Sequence, residues 1–167
     1  IYFGSPESNR QIMEVSHAFE VAHEVGARVI MGKVMMDSNS PAALTEDTAT
    51  SIKESEDLAA LWQGANQGLL NYAFTPRFGV TSSRELLAGT GQAWKRNPGT
   101  YLHTHLSEAR EEIQFVSQQF PDARSYLDVY DKFALTGARS VFAHSIHLDD
   151  HDITCVKHTG SALAHCP

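Results

Sequence analysis

Apolar positions along the chain follow two alternating rhythms. Short, nearly continuous apolar runs predict strands. The longer segments between them carry apolar residues at three- and four-residue spacing, which predicts helices. Ile1 to Phe3 read as the tail of a strand, and Ile12, Val15, Phe19 and Ala22 then recur at helical spacing. ARVIMGKVMM over 27–36 predicts a buried strand, 37–41 a turn-rich loop and 46–62 a helix. YAF at 72–74 predicts a short strand that ends at TPRF (75–78). A helix over about 83–96 is stopped by Asn97, Pro98 and Gly99. TYLHTHL (100–106) predicts the next strand. Its helix carries Ile113, Val116 and Phe120 on one face and stops at Pro121. SVFAHSI (140–146) and SALAHC (161–166) predict two more strands.

Strands alternating with helices imply βα units and a parallel sheet. Two architectures satisfy that pattern, a doubly wound sheet and a (β/α)8 barrel. No glycine-rich phosphate loop follows any strand, which weakens the dinucleotide-binding version of the first. Histidines at the ends of several strands favour the barrel, whose reactive groups sit at C-terminal strand ends. A complete barrel takes about 250 residues, against 167 here. About six strands are visible. The expectation is a single α/β domain over 1–167, a TIM-barrel-like fold cut short to roughly strands 2–7 and lacking the first and last strands. No linker or low-complexity segment divides it.

Composition narrows the function classes. Apolar residues make up 42% of the chain, enough for a core. Thirteen basic residues against twenty acidic ones give 13 − 20 = −7. The basic residues are scattered, which argues against nucleic acid or an anionic membrane as partner. No apolar run is long enough to span a bilayer. Two cysteines, Cys155 and Cys166, suggest a reducing compartment such as the cytoplasm, with no disulfide framework. The chain begins at Ile1 rather than Met, so a missing signal peptide carries no weight.

The candidate chemistry centres on YLHTHLSEAREE (101–112). Strand residues two apart share a face, so His103 and His105 point the same way. His144 ends the following strand and reaches the same space from the next stave. Imidazole is a common zinc ligand, and a catalytic zinc keeps one position open for water. Glu108, just past the strand, is placed to take a proton from such a water and pass it to a leaving group. Taken one at a time, each histidine fits a structural hydrogen-bonding role at least as well. Glu108 alone fits a helix N-terminal charge, favoured by the dipole. Arg77 alone fits a surface ion pair, and Phe78 a core aromatic.

Six motifs taken together change that balance: GKVMMD (32–37), TPRF (75–78), THLSE (104–108), SYLDVYD (125–131), FAHSIHL (142–148) and AHCP (164–167). In this order they resemble the guanine deaminases, a branch of the amidohydrolase superfamily of metal-dependent hydrolases. THLSE and the strand-ending AH are shared widely across that superfamily, whereas TPRF and SYLDVYD are narrower and point to the guanine branch. The resemblance implies a distorted barrel holding one zinc ion. Its ligands are an HxH pair on the first strand, one histidine each on the fifth and sixth, and an aspartate on the eighth. His105 and His144 match the fifth- and sixth-strand ligands and Glu108 the proton-shuttling glutamate. Arg77 and Phe78 match the pair that grips guanine, by hydrogen bonding and ring stacking. His103 then falls at a position that is not a ligand, and His165 in a motif that shapes the pocket. The reaction implied is hydrolytic deamination of guanine to xanthine and ammonia by a homodimer. A sibling hydrolase of another heterocycle and a non-catalytic binding relative are the alternatives.

Two departures accompany the match. Neither an upstream HxH pair nor a downstream ligand aspartate occurs in the chain, so it holds two of five expected ligands and is expected to bind zinc poorly and not turn over alone. Ser145 stands where the branch usually has glycine. Asp37 is expected to cap a loop, Cys166 to be buried and inert, and His147 to stand outside the main set.

Overall fold

The structure is a computed structural model that describes residues 8–166. The strand tail expected at 1–3 lies outside them. Helix α1 (Ser8–Glu24) leads into β1 (Val29–Met31) and β2 (Val34–Met35), followed by α2 (Thr48–Trp62) and a single turn, α3 (Ala65–Gly68). Then come β3 (Leu70–Pro76), α4 (Arg84–Arg96), β4 (Tyr101–Leu106), α5 (Arg110–Gln119) and α6 (Tyr126–Lys132). The last elements are β5 (Ser140–His144), α7 (Asp150–Thr159) and β6 (Ala162–Ala164).

Every strand pairing is parallel, and the sheet order β1-β3-β4-β5-β6 follows the sequence, with β2 also on β3. Side-chain alternation divides the sheet into two faces. Leu70, Tyr72 and Phe74 of β3, Leu102, Thr104 and Leu106 of β4, and Phe142 of β5 are all 0% exposed. Phe19 of α1 stacks between Trp62 of α2 (5.0 Å) and Tyr72 (6.5 Å). Tyr130 of α6 stacks on Phe142 at 5.7 Å. The alternate residues Ala73, Thr75, His103 and His105 instead line an open cavity of about 510 Å³, whose rim at β1 is completed by Val15 and Ala18 of α1. Core on one face and cavity on the other describe an arc of a (β/α) barrel, not a doubly wound sheet.

The strand expected over 27–36 is broken. Val29 pairs with Leu70 and Val34 with Thr75, the same offset on both sides (70 − 29 = 41, 75 − 34 = 41), so β1 and β2 form one stave interrupted at Gly32 and Lys33. A Cβ at Gly32 would lie 1.8 Å from the Ala73 carbonyl oxygen, so the close approach there requires glycine. Lys33 leaves the ladder because its ammonium turns to carboxylates of the outer layer, Glu46 and Glu54.

Helix starts follow capping chemistry. Asp47 accepts the Thr50 N–H, Ser83 that of Leu86, Ser125 that of Asp128 and Asp149 that of Asp152. The sequence pattern gives no helix over 150–159 because its apolar positions are sparse and Ile153 is 54% exposed. Among the described residues no helix is long and apolar enough to cross a membrane.

Candidate functional site

The ends of β3 and β4 come together through one carbonyl. Arg77, just past β3, accepts the His105 backbone N–H (3.1 Å), the His105 Nδ1 proton (2.7 Å) and the Thr104 hydroxyl (3.2 Å) on its backbone oxygen. A carbonyl accepts only, so Nδ1 carries the hydrogen and Nε2 keeps its lone pair, the tautomer that suits a metal ligand. Burial holds the His105 pKa below its ordinary value, opposed by the Arg77 carbonyl bond and assisted by the charges of His144 and Arg77. The ring is therefore biased toward the neutral, ligating form.

His144 is the last residue of β5. Its ring lies 5.4 Å from that of His105, centroid to centroid, at 24°. It takes a left-handed backbone, φ +67°, and Ser145 follows at +54°. Such angles cost a non-glycine residue on the order of 1 kcal/mol or more. Hydrogen bonds to the neighbouring strand end hold them: Ser145 N–H to Leu106 O (2.8 Å), and the Ile146 and His147 N–H groups to Ser107 O (3.2 Å each). Ser145 thus adopts the conformation that glycine adopts without strain.

Glu108 sits two residues ahead of α5, and its carboxylate lies 3.4 Å from His144 Nε2. The helix start is fastened by Glu112 instead, whose Oε2 accepts the N–H groups of Glu108 (3.1 Å) and Ala109 (3.3 Å). Glu108 therefore faces the histidine pair while a different glutamate serves the helix.

The Arg77 guanidinium lies 4.7 Å from the Phe78 ring centroid, and that ring lies 6.3 Å from His105. Arg77 N–H donates to Met35 O (3.1 Å), which seats this segment on β2. Arg77 lines the cavity, and Phe78 is half-buried and stands outside the core. A cation, an aromatic face, two imidazoles and a carboxylate thus share one end of the arc.

His103 also lines the cavity, 6.1 Å from the His105 ring. Burial first, and His105 second, lower its pKa. His165 lies exposed past β6 and His147 is half-buried past β5. Cys166, two residues past the end of β6, is exposed rather than buried, its Sγ 3.4 Å from the Ala164 carbonyl oxygen. Asp37 accepts Ser83 N–H (2.7 Å), Ser83 Oγ–H (2.5 Å) and Thr48 Oγ1–H (2.7 Å), so it braces the loop after β2 to the starts of α2 and α4.

Two features escape a reading of the sequence. Lys33, 1% exposed, reaches Glu46, Glu54 and Ser51; its only signal is a lone lysine in an apolar run. Tyr126 and Tyr130 place buried hydroxyls behind the site, on a helix, α6, that the apolar pattern of the sequence does not predict.

Among the described residues no group of three or more His, Cys, Asp or Glu side chains comes together as a metal site. The residues present still suit one: two partly buried imidazoles face each other, His105 has Nε2 available, and a carboxylate stands beside them.

The family model described as the amidohydrolase family matches residues 2–167. Guanine deaminase of Escherichia coli (strain K12) is 41% identical over 153 residues, 92% of this chain and 34% of that protein. A solved structure of E. coli guanine deaminase superposes with a TM-score of 0.89 at 40% identity, covering 93% of this chain and 36% of the other. Guanine deaminase from C. acetobutylicum, with guanine bound in its active site, gives a TM-score of 0.88 at 30% identity, covering 98% and 38%. The chain spans about a third of the length of the curated relatives it matches.

Proposed function

The chain belongs to the amidohydrolase family, and on that premise we propose that the whole protein carrying it hydrolyses guanine to xanthine and ammonia with one zinc ion. The observation that carries this reading is the placement of Arg77 and Phe78 beside His105 at one end of the arc, within reach of the His144–Glu108 pair. The similarity to guanine deaminases supports the choice of ring. The resemblance also suggests a homodimer, and the sparse cysteines a cytoplasmic one.

His105 and His144 would hold the ion, with its remaining ligands outside these two staves. Bound zinc lowers the pKa of a coordinated water toward about 7. Phe78 stacks on the purine face, and Arg77 orients the base by charge-assisted hydrogen bonds to its ring acceptors. Glu108 takes the proton from the attacking water. It returns that proton to the ring nitrogen next to the amino-bearing carbon; the remaining proton of the added hydroxyl then passes through Glu108 to the amino group, which leaves as ammonia as the C–N bond breaks and that oxygen becomes the carbonyl. The carboxylate stands where the role needs it, 3.4 Å from His144 Nε2.

The test is Glu108→Gln in the full-length protein. The variant keeps wild-type zinc content and loses ammonia release by about a hundredfold or more, the usual worth of a positioned proton carrier. Wild-type turnover in that variant refutes the role.

A further inference from the structure

The SYLDVYD segment has no part in the chemistry above, yet it forms α6 directly behind the site. Its two tyrosines are 3% and 0% exposed. Tyr126 Oη accepts the Gly79 backbone N–H at 2.8 Å, one residue past Phe78. Tyr130 Oη donates to the His105 carbonyl at 2.8 Å and lies 3.1 Å from the Thr104 hydroxyl, which also reaches the Arg77 carbonyl at 3.2 Å. The two phenol oxygens are 3.5 Å apart. Burial drives both phenols to stay protonated, so Tyr130 remains a donor. Glu112 neighbours Tyr126 and holds the backbone of Glu108 through Oε2.

We propose that Tyr126 and Tyr130 are positioning residues whose linked hydroxyls fasten the base-gripping segment 77–79 and the His105 strand end to the same helix. The assignment rests on the proposed function for the identities of those two segments. Both hydroxyls are spent on backbone groups behind the cavity, so neither touches substrate. Packing alone does not account for them: phenylalanine would fill both sites, whereas each hydroxyl closes on a backbone group of a different site segment. Gly79 shows how tight that seat is, since a Cβ there would lie 2.7 Å from Tyr126 Cε2. The division of labour is specific. Tyr130 sets the ligand strand, and Tyr126 sets the segment that carries Arg77 and Phe78.

The experiment compares Tyr130→Phe and Tyr126→Phe with wild type in the full-length protein. Zinc affinity is read by competition with a chromogenic chelator, and kcat and KM for guanine separately. Losing one net hydrogen bond gives changes of about three- to tenfold. Tyr130→Phe weakens zinc affinity and kcat by that factor and leaves KM within about twofold of wild type. Tyr126→Phe raises KM by that factor and leaves zinc affinity unchanged. If Tyr130→Phe does not fold, Thr104→Val removes the neighbouring link and moves zinc affinity in the same direction. Variants that lose only melting temperature, with zinc affinity, kcat and KM all at wild-type values, overturn the assignment. A wild-type protein that leaves guanine untouched defeats the proposed function instead, and the zinc titration of Tyr130→Phe still decides the inference.

Discussion

Replacing Lys33 by methionine takes the ammonium out of a buried charge cluster while keeping most of the side-chain volume. That ammonium bonds the Glu46 carboxylate, lies 3.3 Å from Ser51 Oγ and 3.5 Å from Glu54 Oε2. The three charged side chains are 1%, 7% and 9% exposed. Without the cation, two carboxylates stay in the interior, and the Ser51 hydroxyl that donates to Glu46 cannot balance their charge. Breaking a buried pair from one side costs about 3–5 kcal/mol, a large share of a domain stability of about 5–15 kcal/mol. The cavity term is small because methionine fills the stem. Equilibrium urea unfolding of the full-length protein measures the loss. The control is Lys33→Met combined with Glu46→Gln and Glu54→Gln, which removes the stranded charge and recovers most of it. A triple variant no more stable than the single one refutes the electrostatic account and leaves packing as the cause. The cluster matters to the site because it seats the interrupted stave, whose Met35 carbonyl holds the Arg77 N–H.

Three further outcomes are expected. Burial depresses the His103 and His105 pKa values below 6.5. The unfolded chain then binds more protons as pH falls, so stability present above about 6.5 is lost below it; the melting temperature of the metal-free protein drops between about pH 7.5 and 5.5, and a rise contradicts the assignment. Asp37→Ala removes three hydrogen bonds and lowers unfolding free energy by about 1–3 kcal/mol. It leaves KM for guanine unchanged, whereas a large KM increase would make Asp37 a pocket group. Gly32→Ala drives a methyl into a backbone carbonyl that cannot swing aside, and its urea midpoint falls by the equivalent of at least about 1–3 kcal/mol; an unchanged midpoint contradicts so close an approach of the two staves.

Much of the arc is legible because strand periodicity is a local signal. The alternation of Leu102, His103, Thr104, His105 and Leu106 puts apolar or hydroxyl side chains under the helices and imidazoles on the cavity, as the period of two dictates. The same rule reads 27–36 as one strand and fails at Gly32–Lys33. What breaks that stave is a tertiary contact, with carboxylates at positions 46 and 54 that no local pattern connects to it. Helix α7 escapes for the opposite reason: Asp149 caps it well, but its outer face carries Ile153 in solvent, so its apolar period is weak. At the site, residue types and strand-end positions make His105, His144 and Glu108 no more than candidates, and the roles proposed for them come from the motifs around them. The carbonyl of Arg77 that orients His105, and the phenols behind it, are invisible in sequence because they act through backbone atoms of distant segments.

The most direct test of the central claim is ammonia release by the zinc-loaded full-length protein from guanine, compared with adenine, a pterin and an aminotriazine at equal concentration. The account predicts that guanine is the preferred substrate by kcat/KM, and that Arg77→Ala removes most of that preference. Faster turnover of one of the other rings, or no ammonia from guanine at all, contradicts it.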